Sequence, residues 1–326
     1  MMFMKKRTFL YVLILHLLLN ACTQSDISHM ANLAYITNQG DNTVSVIDIG
    51  QAKVMHTVKV GKAPVGVAVS RVLRRVFITN VESNDISVID TNTNKVVETI
   101  NTGGSPVGIA IAPNSKTLYV ADWYSDRILA IDTANYNARR EVIVAKAPAG
   151  LVVSPDSGSL YVAARDSNEI AVIDTTTLTI IKRIEVGKHP FGLALSKDGS
   201  ALYSVNVYAN SVSIINTKTW QQSKLKVGEH PYCAITSPDN KTLYVTNTQD
   251  DTVSIIDLNT QKTIGTVEVG MTPEGISYDV ASKQVLVASW GENRVSIIDA
   301  TTNKLKGDIK TGDKSRAFGQ FILSEQ

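Results

Sequence analysis

The sequence Val-Ser-Val-Ile-Asp at positions 44–48 returns, with small changes, six more times before the end of the chain. The copies begin at positions 86, 128, 170, 212, 253 and 295, so successive copies lie 41 or 42 residues apart. A fixed step of this length is typical of proteins that repeat one supersecondary unit. We therefore predict seven copies of one unit, which together account for most of the 326 residues.

One unit, residues 231–270, contains four short segments rich in β-branched and aromatic residues, which favour strands. Between the first two lies Ser-Pro-Asp-Asn at 237–240, where proline presets φ and the Asp or Asn side chain bonds its own backbone. The unit therefore predicts a four-stranded antiparallel meander, with strands at 231–236, 243–247, 252–257 and 262–269.

The third strand of each unit is apolar on both of its alternating faces. In the copy at 253–257, Val253 and Ile255 point to one side and Ile256 to the other. A sheet with one solvated face would alternate more cleanly, so we expect each sheet to be covered on both sides. Four-stranded sheets repeated around an axis achieve this cover. The fold class predicted is therefore all-β, a seven-bladed β-propeller of four-stranded antiparallel blades.

The second strands carry a family resemblance. They read Ala-Tyr-Ile-Thr-Asn at 34–38, Val-Phe-Ile-Thr-Asn at 76–80 and Leu-Tyr-Val-Thr-Asn at 243–247, with looser copies in the other units. Together with the Val-Ser-Ile-Ile-Asp strands and the Ser-Pro-Asp turn, they resemble the YVTN-repeat propellers of bacteria and archaea. The resemblance implies the fold but does not select an activity, since relatives serve as surface-layer and interaction proteins or as parts of redox enzymes.

The two ends of the repeat predict how the ring closes. First strands begin with proline at 64, 106, 148, 190, 231 and 273, and the next equivalent position is Ser315. The repeat itself starts at Ala34, already in a second strand. We therefore expect the apolar segment 317–323 to pair with 35–38 and complete the first blade, so that deletion of 316–326 costs more stability than trimming a tail.

Residues 1–21 resemble a signal peptide. Lys5, Lys6 and Arg7 precede an apolar run at 9–19 that is too short for a comfortable membrane span. The remaining chain is then divided into a tether at 22–31 and the propeller at 32–326.

The end of that segment, Leu-Asn-Ala-Cys at 19–22, resembles the lipobox of bacterial lipoproteins, which implies lipidation of Cys22. Asn20 is unusual at its position, and ordinary cleavage is the alternative. Thr23 follows the cysteine, which resembles the sorting pattern for the outer membrane. The prediction is an exported lipoprotein at the periplasmic face of the outer membrane, held to the membrane through Cys22.

Charge and cysteine content argue against a nucleic-acid-binding protein and against a fold framed by disulfides. The chain has 32 basic and 30 acidic residues, and loss of the three basic residues of the signal leaves a nearly neutral protein. A nearly neutral balance argues against nucleic acid as a partner. With Cys22 assigned to the lipid, Cys233 is left unpaired, and we expect it to be a buried, inert thiol.

Repeated polar residues have structural explanations. Aspartate ends six of the seven third strands, where its side chain caps the following turn better than it would bind metal. These positions are Asp48, Asp90, Asp132, Asp174, Asp257 and Asp299, with Asn216 in the remaining unit. The Pro-x-Gly openings of the first strands are expected where strands crowd around an axis.

Non-repeating residues collect on one predicted rim, where the connections between blades meet the loops after the second strands. Large aromatic residues and arginine are common in binding hot spots. The candidate ligand or partner site consists of Trp123, Tyr124, Arg165, Asp166, His189, Phe191, Tyr208, His230, Tyr232, Glu274, Trp290 and Arg316. Packing between neighbouring loops is the alternative explanation for these side chains.

Catalytic signals are weak by comparison. His189 and His230 occupy equivalent positions, and the repeat explains them more simply than metal or haem ligation, since no acidic cluster accompanies them. There is no Cys-x-x-Cys-His, and no Ser, His and Asp set with triad spacing.

The predicted function is a non-catalytic binding or scaffolding lipoprotein of the cell envelope, without cofactor or metal, whose rim engages a protein, a peptide or a glycan. The alternative is an enzyme or cofactor-associated propeller, either lactonase-like or a haem or quinone partner of a periplasmic dehydrogenase. Single-stranded nucleic acid would need a basic groove and is the weakest hypothesis.

Overall fold

The computed structural model describes residues 32–323, which form seven four-stranded blades arranged as one closed series. The predicted signal peptide, Cys22 and the predicted tether lie outside the described residues. Within 32–323, no helix is long and apolar enough to cross a membrane.

Blades 1 to 4 contain fifteen strands. They are β1 Leu33–Asn38, β2 Thr43–Asp48 and β3 Lys53–Lys59 in blade 1; β4 Pro64–Ser70, β5 Arg75–Asn80, β6 Asp85–Asp90 and β7 Lys95–Asn101 in blade 2; β8 Pro106–Ile111, β9 Thr117–Asp122, β10 Arg127–Asp132 and β11 Arg139–Ile143 in blade 3; and β12 Pro148–Val153, β13 Ser159–Ala164, β14 Glu169–Asp174 and β15 Thr179–Glu185 in blade 4.

Blades 5 to 7 and the closing segment contain the rest. They are β16 Pro190–Leu195, β17 Ala201–Asn206, β18 Ser211–Asn216 and β19 Gln222–Lys226 in blade 5; β20 Pro231–Thr236, β21 Thr242–Asn247, β22 Thr252–Asp257 and β23 Lys262–Glu268 in blade 6; β24 Pro273–Asp279, β25 Gln284–Ser289, β26 Arg294–Asp299 and β27 Lys304–Lys310 in blade 7; and β28 Phe318–Gln320 and β29 Ile322–Leu323.

The predicted fold class is confirmed. Each blade is an antiparallel meander, and the second and third strands are buried at nearly every position, whereas the outer strands are mostly exposed. The core lies between blades: one cluster joins Tyr35 of blade 1 to Ile78 of blade 2 and Leu286 of blade 7. Both faces of each sheet are therefore covered, as the apolar third strands predicted.

The threonine of the second-strand motif links neighbouring blades. In blade 2, the Thr79 hydroxyl accepts a hydrogen bond from Gly66 N–H (2.8 Å) and donates one to the Val107 carbonyl of blade 3 (2.9 Å). Thr37 likewise donates to the carbonyl of Val65 in the next blade (3.1 Å). Because these hydroxyls are buried, each link satisfies backbone groups that water cannot reach.

The asparagine and the serine of the two motifs bond each other inside a blade. The side-chain amide of Asn38 donates to the Ser45 hydroxyl (2.9 Å), and Asn247 donates to Ser254 in the same way (2.9 Å). The aspartate that ends each third strand caps its turn: Asp90 Oδ1 accepts from the N–H groups of the residues two and three positions on, each at 3.0 Å. These repeated polar residues therefore stabilise each blade and its turn from within.

The C-terminal segment closes the ring by completing blade 1. Ile322 pairs with Ala34 and Leu323 with Leu33, so the order in that sheet is β29, β1, β2, β3. At the other end of the segment, Arg316 N–H donates to the Thr37 carbonyl (2.9 Å).

The pairing differs in register from the expected match of 317–323 with 35–38. The middle of the segment, β28, leaves blade 1 and pairs in parallel with β4 of blade 2. Gly319 allows this detour, because its φ of +113° is a conformation that other residues rarely adopt. The closing segment therefore forms strand pairs with two blades.

Candidate functional site

One face of the propeller carries the connections between blades and the loops that follow the second strands; we call it the loop face. Each of these loops ends in Asn or Asp in the left-handed conformation, for example Asn168 at φ 56° and Asn210 at φ 48°. Their side chains accept hydrogen bonds from the neighbouring connection: His189 N–H donates to Asn168 (2.9 Å) and His230 N–H to Asn210 (3.1 Å). The loops are therefore held in place before any partner arrives.

A stack of three rings lies on the loop face. The Tyr208 ring is 4.2 Å from that of His189 and 5.3 Å from that of His230, measured between centroids. Tyr208 is 52% exposed and sits on a short 3-10 turn, Val207–Ala209, whose N–H groups bond the connection before blade 5. The stack therefore presents an exposed aromatic surface on a fixed backbone.

Arg165 and Trp123 extend this surface across blades 3 and 4. The Arg165 guanidinium lies 5.2 Å from the centroid of the Trp123 ring, within the range of a cation–π contact, and 3.1 Å from Asp166. Burial, together with the positive charges of Arg165 and Lys188, lowers the pKa of His189, which favours its neutral form at pH 7. We call Trp123, Arg165, His189, Tyr208 and His230 the aromatic–basic patch.

Four other predicted site residues lie at the axis, where they form what we call the axial plug with Phe318. Phe191 is 5% exposed, and its ring lies 4.2 Å from that of Tyr232 and 4.9 Å from that of Phe318. Arg316 donates to the Tyr232 hydroxyl (2.9 Å) and forms an ion pair with Glu274. Packing therefore occupies most of the surface of these side chains.

The electrostatics of the axial plug follow from its burial. Burial raises the pKa of Glu274, and the Arg316 guanidinium partly offsets that rise. Burial also raises the pKa of the Tyr232 hydroxyl. Burial by itself would lower the pKa of Arg316, but Glu274 and Tyr232 outweigh it and raise that pKa. Arg316 is therefore a charged, paired side chain that fastens the closing segment to blades 6 and 7.

Trp290 and Tyr124 are the remaining predicted residues, and Trp290 makes its contacts outside the aromatic–basic patch. Trp290 donates through Nε1 to Gln39 (3.2 Å), and the Lys314 ammonium lies 5.3 Å from its ring. Tyr124 is 79% exposed. Gln39, Lys314 and Phe318 were missed by the sequence reasoning; the apolar character of 317–323 was the one signal that could have pointed to Phe318.

The described residues offer little for metal or thiol chemistry. Across 32–323, no three His, Cys, Asp or Glu side chains are grouped so that they could hold a metal ion. Cys233 is 6% exposed, and burial raises the pKa of its thiol well above the usual value. The Cys233 thiol is therefore held in its neutral, weakly nucleophilic form.

Comparison with family models gives two matches. The model of the YNCE-like β-propeller matches residues 69–154 and 192–299, well over half of the chain. The model of the lactonase family of seven-bladed β-propellers matches residues 130–226. A search of curated proteins found no match.

Three solved structures show the same fold. Hydrazine synthase from Kuenenia stuttgartiensis is 22% identical, with 81% of this chain and 91% of that chain covered and a TM-score of 0.74. A functionally unknown protein from Desulfotomaculum acetoxidans is 14% identical, with coverage of 89% and 100% and a TM-score of 0.76. The dihydro-heme d1 dehydrogenase NirN, in complex with DHE, is 14% identical, with coverage of 88% and 74% and a TM-score of 0.65.

Proposed function

This chain belongs to the YNCE-like β-propeller family, and from that premise we propose that it is a non-catalytic binding protein of the cell envelope whose loop face engages a partner protein or peptide. The observation that carries the proposal is the His189–Tyr208–His230 stack, with Arg165 and Trp123 beside it. Fold alone would not select this function.

The composition of the patch suits a protein partner. Tyrosine, tryptophan and arginine are the residues most enriched in binding hot spots. Tyrosine and tryptophan bury a large area for few rotatable bonds, and arginine offers a planar guanidinium with five N–H donors. Tyr208 offers its ring to solvent, while the loops below it are already hydrogen-bonded. Binding would therefore order few side chains, which lowers its entropic cost.

The envelope location rests on the N-terminal sequence. The charged and apolar segments at 5–19 and the lipobox-like Leu-Asn-Ala-Cys at 19–22 support export and anchoring through a lipid on Cys22. In this proposal the YVTN-like propeller stands on a tether of about ten residues. Mass measurement of the mature N-terminus tests the lipid: an unmodified Cys22, or cleavage elsewhere, contradicts it.

The test of the patch is capture of a partner from envelope extract by the full-length protein. The variant R165A/Y208A should lose at least tenfold in capture, because two hot-spot contacts are removed, while its Tm changes little. I264A is the matched control, since Ile264 is 57% exposed on the outer strand β23. Equal capture by wild type and R165A/Y208A would reject the patch as the binding site. Equal losses of capture in R165A/Y208A and I264A would reject it too.

A second candidate function is an enzyme or a cofactor-associated subunit. The lactonase model match over residues 130–226 favours it, and two of the structural neighbours bear enzyme names. Absorbance spectra and metal analysis of protein purified from its native source separate the two functions. A visible chromophore or a stoichiometric metal would favour the second candidate over the first.

A further inference from the structure

The axis of the propeller contains a cavity of about 840 Å³ on the side away from the loop face. The turns that follow the first strands form its mouth, where Val72 is 78% exposed and Val280 is 48% exposed. Cys233 and Phe318, which belongs to the axial plug, line its inner end. The cavity therefore ends against the axial plug, and its volume lies within the usual range for binding sites.

The cavity is lined by strand edges rather than by strand faces. Side chains alternate along a strand, so a wall made of one face would show every second residue. Here consecutive residues line the wall: 109–112 in β8 and its turn, 151–153 in β12 and 193–195 in β16. The first strands of blades 3 to 6 therefore present backbone N–H and C=O groups to the cavity, whereas β24 of blade 7 lines it at alternate residues, Ile276 and Tyr278.

These edges have no strand partner within the described residues. In the sheets of blades 3 to 7, β8, β12, β16, β20 and β24 are all end strands, bonded only to the second strand of their own blade. An unpaired edge is a template for another extended chain. A hydrocarbon ligand that displaced water here would leave backbone groups unpaired, at a cost for each group. The edges therefore favour a ligand with its own backbone hydrogen bonds.

The protein itself shows such a pairing in the same place. In blade 2, β28 enters the axis and pairs in parallel with the inner edge of β4, matching Phe318 to Gly66 and Gln320 to Ala68. A three-residue segment therefore fits beside a first strand in this fold, here with Gly319 at its centre in a left-handed conformation.

We propose that the axial cavity binds the end of an extended, apolar peptide by strand addition to the free inner edges, as β28 binds to β4. Arg71, at the mouth, is the one charged residue among the described residues that line the cavity, so the inserted end is apolar and uncharged. Hydrogen bonds from the peptide backbone supply affinity, and the surrounding Ala, Val, Leu and Ile side chains select small or β-branched residues. The proposal is independent of the loop-face patch, because it concerns the opposite face.

The probe is the peptide acetyl-Val-Ala-Val-Ile-Ala-Lys(fluorescein)-amide, followed by fluorescence anisotropy with the full-length protein. The matched probe carries N-methyl groups on alternate residues, which removes backbone donors and keeps the side chains. The first peptide should bind saturably and at least tenfold more tightly than the second. Equal binding of both would indicate simple apolar partition and overturn the proposal, and so would no binding of the first.

Two glutamine variants locate the site. Gln320 is exposed and lines the cavity, so Q320W should fill part of it and weaken binding at least tenfold. Gln249 is exposed on the loop face, so Q249W makes the same substitution away from the cavity and should bind as wild type does. Circular dichroism and Tm confirm that both variants fold. Binding by a folded Q320W at wild-type strength would place the peptide elsewhere and overturn the proposal.

Discussion

The ion pair between Arg316 and Glu274 makes the sharpest prediction about ring closure. Arg316 belongs to the closing segment, and its guanidinium bonds Glu274 of blade 7 and Tyr232 of blade 6. Its side chain is 17% exposed, and that of Glu274 is 10% exposed. Substitution R316L removes the charge and the hydrogen bonds but keeps an apolar side chain in the plug.

The expected loss follows from the charge left behind. Removing one partner of a buried ion pair costs about 3–5 kcal/mol, because the other charge remains buried without compensation. The double variant R316L/E274L leaves no charge, so it should recover at least half of that loss.

The variant should also respond to pH. Burial already raises the pKa of Glu274 above its ordinary 4.5, and loss of Arg316 raises it further. A carboxyl group with a raised pKa in the folded state stabilises the protein below its unfolded pKa, and this contribution is lost as pH rises through the folded pKa. The deficit of R316L should therefore be larger at pH 7.5 than at pH 4.5.

Urea unfolding at both pH values, for wild type, both single variants and the double variant, gives these free energies. A deficit below about 1 kcal/mol for R316L at pH 7.5 would refute the reasoning, since that is the range of an exposed pair. A double variant as unstable as R316L would also refute the reasoning, because the unpaired charge of Glu274 would then not be the cause of the lost stability.

Three further predictions concern the repeat and the cavity wall. T79V should lose about 1–3 kcal/mol in urea unfolding, because Gly66 N–H is left without its acceptor; a loss below 0.5 kcal/mol, on the order of a surface substitution, would remove the blade-to-blade role. G108A should unfold at a clearly lower temperature than wild type, because an added Cβ would overlap the backbone of blade 4. The control G307A, which has open space around the added Cβ, should keep the wild-type Tm. Equal Tm values for the two variants would contradict the crowding at the axis. Cys233 should resist iodoacetamide at pH 8 in the folded protein and react once urea unfolds it, since burial raises its pKa; rapid alkylation of the native protein, mapped by mass spectrometry to its peptide, would show the thiol to be accessible.

The fold was predictable because each blade imposes the same constraints. The buried contact between Asn38 and Ser45 recurs as that between Asn247 and Ser254, so both residues return at the repeat spacing. The aspartate that caps the following turn, as in Asp90, returns for the same reason. The capping Asp or Asn recurs in all seven units and the Asn–Ser contact in four, so both rules are visible in one sequence without any alignment.

The candidate site was only partly predictable, because sequence spacing identifies a loop but not its distance from the axis. Phe191 lies only two residues after His189, and Tyr232 only two after His230. Yet Phe191 and Tyr232 pack at the axis, whereas the two histidines belong to the exposed ring stack. The ring contact between Trp123 and Phe191, at 5.9 Å, is likewise a consequence of the closed ring.

The closing segment shows the same limit. Its apolar character predicted the completion of blade 1, and Ile322 and Leu323 do pair there. The detour of β28 to blade 2 depends on one glycine at a φ that other residues rarely adopt. Among the described strands it occurs only beside β4, although the first strands of blades 3 to 7 also have unpaired inner edges. A feature that occurs once leaves no periodic signal.

A closed ring holds the loop face rigid, and amide hydrogen exchange of the full-length protein tests this closure most directly. Tyr35 N–H donates to the Phe321 carbonyl and Arg316 N–H to the Thr37 carbonyl, both at 2.9 Å. These two amides should exchange as slowly as those in the middle of β13, because exchange would require the ring to open. Exchange of both within seconds, while β13 stays protected, would show that the C-terminal segment is a loose tail and contradict the account.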